Sequence, residues 1–565
     1  MKFLVNDESF LPKSIICLRD YSSQKFVSDL IAGLTVGLVA LPLAMAFAIS
    51  SGVPPQSGIY CAIVAGFLIS ALGGSKTQIG GPTGAFVVVV SGIVAKYGIE
   101  GLFMCTLMAG LLLVILGVTG LGTAVKYVPR PVVIGFTNGI AVLIASTQIK
   151  DFFGLKMENV PGEFIGRIEA ITQHWHTLSL PATAMSVGGL IIILLMTRFV
   201  RRVPGSVVAL FLGTAAAFAF NLPLETIETK FGGIPSGLPH LTLPAFRPGL
   251  FLTLLSPAFT VAMLGAIESL LSAVVSDRMS GDKHNPNVEL FAQGVANVMS
   301  PLVGGLPATG AIARTATNIR SGAQTPVAGM LHAMTLLLVI LFVAPLAKYI
   351  PLCVLAAILM VVAYNMGEWR EVPEILKLSK ADITIWLITF ALTVFADLTV
   401  AVEVGMILAA LFYIRKVTIS TTVSEVTEEY VEAGFAHSLQ TNEIPEGAKV
   451  FRIHGPFLFG ATDKLSIIEE RFDSLPRVVM LRVRNMTAID ATGLHALEEL
   501  ADKLQATGRT LIICGMREQP AKLMAKAEFH RHIGDRNIQP SLEAGISRAK
   551  EILAGQREAI AQAHT

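Results

Sequence analysis

Long apolar runs, separated by short polar or charged breaks, occupy the first 420 positions of the chain. A helix crossing a bilayer needs about 20 mainly apolar residues. On that criterion the pattern predicts spans near 29–50, 58–73, 84–97, 101–119, 131–149, 183–199, 206–222, 251–275, 286–303, 310–319, 326–347, 351–365, 381–396 and 399–415. That makes fourteen, of which the third and tenth are too short to cross as helices alone. From Lys449 the rhythm changes. KVFRIHG, VVMLRVRN and TLIICGM read as strands, alternating with amphipathic helices over 463–474, 492–507, 517–527 and 540–554. Such alternation predicts an α/β sheet with helical cover. The expected organisation is an N-terminal segment 1–28, a membrane domain 29–420, a linker 421–447 with an edge strand near its boundary, a soluble domain 448–556 and a tail 557–565.

Composition sharpens this division. The 565 residues are 53% hydrophobic and only 15% charged, against about 25% charged in an ordinary soluble chain. From Thr421 onward lie 37 of those charges, so the remainder are thinly spread over the front three-quarters. Cytoplasmic loops of a membrane protein collect Lys and Arg. With the N-terminus inside, the loops after even-numbered spans hold Lys76, Lys126 with Arg130, Arg198 with Arg201 and Arg202, Arg278 with Lys283, Arg320, Arg370 with Lys377 and Lys380, and Arg415 with Lys416. Fourteen spans with both termini in the cytoplasm fit that distribution. Met1 to Ser28 are mixed polar residues, so the run near Leu30 is expected to be a span and not a cleaved signal.

Several functions lose support. A net charge of +2 without basic or basic/aromatic blocks does not suggest nucleic acid. Cys17, Cys61, Cys105, Cys353 and Cys514 share no metal-like spacing. No G-x-x-x-x-G-K loop supports ATP-driven pumping. No enzyme chemistry, metal or cofactor is expected.

Two interruptions match one another. Gly80-Gly81-Pro82-Thr83-Gly84-Ala85 leads into FVVVVSG, and Gly304-Gly305-Leu306-Pro307-Ala308-Thr309-Gly310-Ala311 leads into IARTATN. The two threonines are 226 positions apart, with seven spans between the motifs, an odd number that inverts the second copy. Inverted repeats with broken helices at matching places point to a transporter's binding site. Non-helical backbone at membrane depth must line a cavity or be buried in protein, and a half-helix starting there offers unpaired N–H groups and a positive dipole end. Two such starts facing each other would bind an anion. Thr83, Gly84, Ala85, Thr309, Gly310 and Ala311 are therefore the expected substrate contacts. A single G-P-T-G would read as a loop turn; the matched pair favours a site.

Ionisable residues within spans are costly and commonly functional. Glu268, in AMLGAIESLLSAVV, precedes Thr309 by 41 residues, just as Pro42 precedes Thr83. A carboxylate in this setting suits reversible protonation coupled to transport, while the plainer reading is a hydrogen bond to a neighbouring helix. Arg314 lies one turn past Gly310. It either raises the positive potential at the anion site or pairs with Glu268. Asp397, Glu403 and Arg320 sit at span ends and read as solvated or capping groups.

The stretches AGLTVGLVALPLAMAFAISSGVPPQSGIY at 32–60, GGPTGAFVVVV at 80–90, and AMLGAIESLLSAVV through GGLPATGAIARTATNIRSGAQTP at 262–326 resemble the sulfate permease (SulP) family of anion transporters. Within it, TQIKDFFGL at 147–155 and the run from 262 are most similar to aerobic C4-dicarboxylate carriers. The resemblance implies two inverted seven-span repeats forming a core and a gate, elevator-like movement and a homodimer. It also implies that the tail is a STAS domain (sulfate transporter and anti-sigma factor antagonist), with Asp490-Ala491-Thr492-Gly493 opening its first long helix. Phosphorylated antagonists carry Ser where this chain has Ala491, so that regulation is not expected; Thr492 is a weak substitute. Sodium-coupled bicarbonate relatives match Glu268 and Ser272 in the eighth span, but their Thr in the tenth falls on Ile312. Proton coupling is the better expectation. Where several eukaryotic members have Gln in the first span, this chain has Leu43.

Together these readings give a secondary anion transporter of the bacterial inner membrane. The expected substrate is sulfate or a C4-dicarboxylate such as succinate, and bicarbonate is the alternative. A different class, a membrane-anchored sensor or scaffold whose soluble domain binds a cytoplasmic partner, stays open.

Overall fold

The computed structural model describes residues 10–123, 128–157, 161–199, 204–235, 237, 241, 247–342, 344–396, 398–426 and 443–563. Lys126, Arg201, Arg202, Asp397 and most of the expected linker, 427–442, lie outside the described residues. The chain divides into two compact units, Met1–Ile407 and Leu408–Thr565.

Thirteen helices, twelve of them long, account for all fourteen apolar runs: α1 (Ser23–Ser50), α2 (Pro55–Leu72), α3 (Gly84–Val118), α4 (Arg130–Phe153), α5 (Leu180–Phe199), α6 (Gly205–Ala219), α7 (Phe251–Ser280), α8 (Pro286–Met299), the nine-residue α9 (Ile312–Arg320), α10 (Val327–Phe342), α11 (Leu352–Met366), α12 (Lys380–Phe395) and α13 (Leu398–Ser420). The third and fourth runs share α3, interrupted at Gly98, whose φ of 72° only glycine adopts freely. Helices α1 to α5 and α7 are long and apolar enough to cross a membrane, whereas α6, α10 and α11 are apolar but shorter. Large side chains point outward from this unit: Leu194, Phe199, Phe211 and Phe218 are all exposed. Its interior is rich in alanine and glycine, the inverse of a water-soluble fold.

Packing repeats with the roles of the two halves exchanged. Helix α1 packs on α10 as α7 packs on α3; α2 packs on α10 as α8 packs on α3; and α4 packs on α12 as α11 packs on α5. This is the inverted pairing that a 226-residue offset predicts. Small residues allow the closest approaches. A Cβ on Gly110 of α3 would lie 2.7 Å from Val298 N of α8, and one on Gly294 of α8 would lie 2.5 Å from Val114 N of α3.

Buried carboxylates fasten loops to these helices. Asp29 in α1 accepts from Gln324 N at 2.7 Å and from Thr325 Oγ1 at 2.5 Å, ahead of α10. Glu289 in α8 accepts from Gly74 N at 3.0 Å and Ser75 N at 3.1 Å, beyond α2. Neither was singled out by the apolar pattern.

The second unit holds a five-stranded sheet ordered β3 (Thr422–Glu425), β4 (Ala448–Phe457), β5 (Val478–Ile489), β6 (Thr510–Cys514) and β7 (Ile538–Gln539). The edge strand β3 runs antiparallel to β4, and the remaining pairs are parallel. Alternating residues of β5 and β6 face opposite layers. Val479, Leu481 and Ile513 pack with α14 (Ala491–Ala506), and Met480, Ile512 and Cys514 pack with α16 (Leu542–Ala563). Between them in sequence lies α15 (Glu518–Lys526). The helix expected over 463–474 is instead a 3-10 turn at Phe459–Leu465, a single turn at Ser466–Glu469 and a second 3-10 turn at Phe472–Ser474. Leu465 and Ile468 keep their helical spacing into the core, and the bends bring Leu475 into it as well. Strand β7 is two residues long and has no alternation to betray it. Asp490 caps α14 by accepting from Gly493 N at 2.8 Å, and its other oxygen accepts from Phe459 N at 3.0 Å.

Candidate functional site

The two Gly-rich interruptions form the two-residue strands β1 (Gly80–Gly81) and β2 (Thr309–Gly310). They pair antiparallel, Gly80 opposite Gly310 and Gly81 opposite Thr309. Each strand leads directly into a half-helix, α3 starting at Gly84 and α9 at Ile312. Because the strands run in opposite directions, the two helices leave the crossing in opposite directions.

Consecutive residues of α7 hold both crossings. Glu268 Oε2 accepts a hydrogen bond from Thr83 Oγ1 at 2.9 Å. Ser269 Oγ lies 2.8 Å from Thr309 Oγ1 and accepts from Gly310 N at 3.1 Å. Thr309 Oγ1 also donates to Gly265 O at 3.0 Å. Thr83 and Thr309 therefore stand at one level of α7. Gln78 Nε2 donates to Ser269 O at 3.1 Å and lies so close over Gly310 that a Cβ there would be 1.7 Å from it. No other residue type fits that position without moving the glutamine. Ser272 Oγ lies 3.1 Å from Thr315 Oγ1, which accepts from Ile79 N at 3.0 Å, so this hydroxyl pair steadies the approach to β1.

Arg314, in the first turn of α9, is 2% exposed. Its Nη2 donates to Pro82 O, two residues ahead of α3, so one arginine side chain spans both half-helix starts. Its Nη1 has no hydrogen-bond partner and lies against Gly81, where a Cβ would be 2.8 Å away. Among the described residues Arg314 makes no ion pair, with Glu268 or any other carboxylate. Each helix start adds roughly half a positive charge. The crossing is thus an electropositive spot with a single carboxylate at its side.

The remaining expected contacts divide. Gly84 and Ala85 are buried at the first turn of α3, and a Cβ on Gly84 would meet Met366 Sδ of α11 at 2.6 Å. Gly310 N and Ala311 N are occupied by Ser269 Oγ and by Ile79 O at 2.8 Å. The hydroxyl of Thr309 is likewise engaged by α7. Unpaired first-turn amides of α9 lie one step later, at Ile312 and Ala313. Both of these residues are exposed, and Ile312 lines a cavity of about 1000 Å³ between α4, α7, α9 and α11. The same cavity is lined by Arg130, Arg278, Arg370, Glu368 and Glu371, with Arg130 paired to Glu371. Burial, reinforced by Glu371 and opposed by Arg130, pushes the Glu368 carboxyl above its ordinary range.

Sequence reasoning passed over Gln78, Ser269 and Thr315, the side chains that align the crossing. It also passed over His332 of α10, fully buried with both ring nitrogens lacking a partner and its ring edge facing Gly66 of α2. For Ser269 and His332 the available signal was a polar residue embedded in an apolar run, whereas Gln78 and Thr315 lie among other polar residues and carried no such mark.

Comparison with known proteins follows the same lines. The sequence profile of the sulfate permease family matches residues 26–389, and that of the STAS domain matches residues 440–545. A protein named putative sulfate transporter YvdB from Bacillus subtilis is 41% identical over 92% of this chain and 97% of its own length. The bicarbonate transporter BicA of Picosynechococcus is 31% identical over 92% of this chain and 94% of its own. The transmembrane domain of a cyanobacterial BicA superposes with a TM-score of 0.60 at 34% identity, covering 69% of this chain and 98% of that one. The overall structure of SLC26A9 gives a TM-score of 0.83 at 17% identity, over 96% of this chain and 93% of that one, which is a likeness of fold alone.

Proposed function

Because the chain belongs to the sulfate permease family, we propose that it is a proton-coupled secondary transporter of a compact oxyanion, bound at the crossing of β1 and β2. One observation carries this reading: two half-helix starts share a buried guanidinium that, among the described residues, no carboxylate neutralises. Such a place favours a negative guest, held by backbone amides and by the field of Arg314.

Glu268 supplies the coupling. Its carboxylate shares a hydrogen bond with Thr83 at the first half-helix, so a proton on Glu268 and an anion at the crossing occupy one neighbourhood. Charge neutrality then links them: the anion is easier to carry through the membrane when Glu268 is protonated. Ile312 presents hydrocarbon where the sodium-coupled pattern has a hydroxyl, which favours the proton.

The helices α1 to α3 and α7 to α10 move as a core against α4 to α6 and α11 to α13 in an elevator-type displacement. The cavity lined by Arg130, Arg278 and Arg370 opens toward the cytoplasm, following the rule for positive loops. The protein works as a homodimer in the bacterial inner membrane. Sulfate is the first substrate, on the relative 41% identical that is named for it. Bicarbonate and C4-dicarboxylates such as succinate follow, because backbone donors recognise any compact oxyanion.

Uptake of labelled sulfate, bicarbonate and succinate into proteoliposomes, with and without an inward proton gradient, tests the proposal. No accumulation above empty vesicles would leave the sensor or scaffold reading in its place. Glu268→Gln is expected to abolish the stimulation of uptake by the proton gradient. Arg314→Ala is expected to raise the KM for the anion about tenfold or more, in line with loss of a charge-assisted interaction. An unchanged KM would return Arg314 to a purely structural role.

A further inference from the structure

The second unit contains a cavity lined by three arginines and one acid. On β5 the residues facing α16 alternate as Val478 and Met480, and the same alternation puts Arg482 and Arg484 on that face. These two side chains project beside the first turn of α16, where a cavity of about 470 Å³ is lined by Arg482, Arg484, Arg517, Ser541 and Glu543. Arg517 is fixed there because its Nε donates to Arg484 O at 2.8 Å. Among the described residues none of the three guanidinium groups forms an ion pair.

Positions two apart on one strand face are about 7 Å from each other, so Arg482 and Arg484 repel. Burial, with Arg484 adding to it, holds the Arg482 guanidinium below its ordinary range. The neighbouring Cys514 supplies no compensating charge, since burial pushes its thiol up to about 12. Glu543 is the one acid among the lining residues. Opposite the arginines begins a helix of 22 residues. Ser541 Oγ accepts from Ala544 N at 3.2 Å, which leaves its own proton free to donate, and the amides of Leu542 and Glu543 have no acceptor within the helix. Guanidinium forks, a hydroxyl and helix-start amides converge on one hollow with almost nothing negative in it.

We propose that this cavity binds a compact tetrahedral oxyanion, either free or as the end group of a phosphomonoester, through Arg482, Arg484, Ser541 and the first amides of α16. The assignment does not rest on the transport reading, because it concerns side chains of the second unit alone.

The test uses the full chain in detergent, with labelled inorganic phosphate as the probe. Saturable binding is expected, and Arg482→Gln with Arg484→Gln should raise the dissociation constant about tenfold or more. Glu543→Gln, which removes the opposing charge from an exposed position, should instead tighten binding. A change in this direction cannot come from misfolding. Competition by AMP identifies a phosphomonoester as the guest, and competition by sulfate alone identifies a free inorganic anion. In either case the KM of sulfate uptake by the arginine variant should stay within about twofold of the unmodified chain. Absence of saturable phosphate binding up to about 10 mM, where free energies fall below roughly 3 kcal/mol, would overturn the proposal. So would a dissociation constant that neither substitution alters.

Discussion

Thr83 and Thr309 occupy equivalent places in the two repeats yet serve α7 differently. Thr83 donates to the Glu268 carboxylate, the group proposed to carry the proton, whereas Thr309 is fastened to a serine hydroxyl and a backbone carbonyl. Thr309→Ala is therefore expected to cost about 1 kcal/mol of stability, seen as a lower Tm, with little change in KM. Thr83→Val should shift the pH profile of uptake with little loss of Tm. Identical profiles for the two variants would contradict this division. The motif repeat made both threonines visible from the sequence, but their unequal roles were not, because they depend on Glu268 and Ser269 lying on successive faces of one helix. Pro42 and Leu43, which the repeat sets opposite those two residues, offer no such groups. Glu368 presents a second residue-level case. It adopts a φ of 41°, in the left-handed region that side chains disfavour, and its carboxyl is held above the usual range. A carboxyl whose folded value is raised favours the fold when protonated, and that advantage fades as pH rises above its unfolded value near 4.3. Glu368→Gly should raise Tm and flatten its decline as pH rises above about 4, as thermal melts from acid to neutral pH would register.

Among the elements, α3 meets α8 through Gly110 and Gly294, backbone against backbone. Gly110→Val is expected to destabilise the membrane unit by about 1 to 3 kcal/mol, read as lowered Tm and loss of folded material in detergent. A neutral result would mean that the two helices can part without consequence. Apolar runs were sufficient to locate every long helix, because length and lipid exposure leave little choice of conformation. Composition was less informative where short polar pieces decide. The turn-rich stretch from Phe459 to Ser474 and the two-residue β7 take their form from the sheet they cover or extend. The buried clamps Asp29 and Glu289 also escaped notice, since each lies near a span end where a carboxylate looks merely solvated.

For the whole molecule, the division at Ile407 separates a unit that holds the crossing from a second with its own core. Removing residues 430–565 is expected to leave the anion KM within about twofold, because every group at the crossing belongs to the first unit. Lower expression or a lower maximal rate is compatible with that; loss of anion binding from a folded truncation is not. The inverted packing of helices has a related meaning. It places matched backbone starts on both sides of the crossing, while Glu268, Ser269 and Arg314 all come from the second half.

The strand pair β1–β2 also limits what the molecule can do with direction. Hydrogen bonds between Gly80, Gly81, Thr309 and Gly310 tie the two half-helices into one rigid cradle. If the crossing is the anion site proposed above, a guest arriving from either compartment meets the same amides at the same spacing. Competing solutes should consequently rank alike whether offered from the periplasmic or the cytosolic face, and any sidedness in flux must originate in the gradients and not in the receptor.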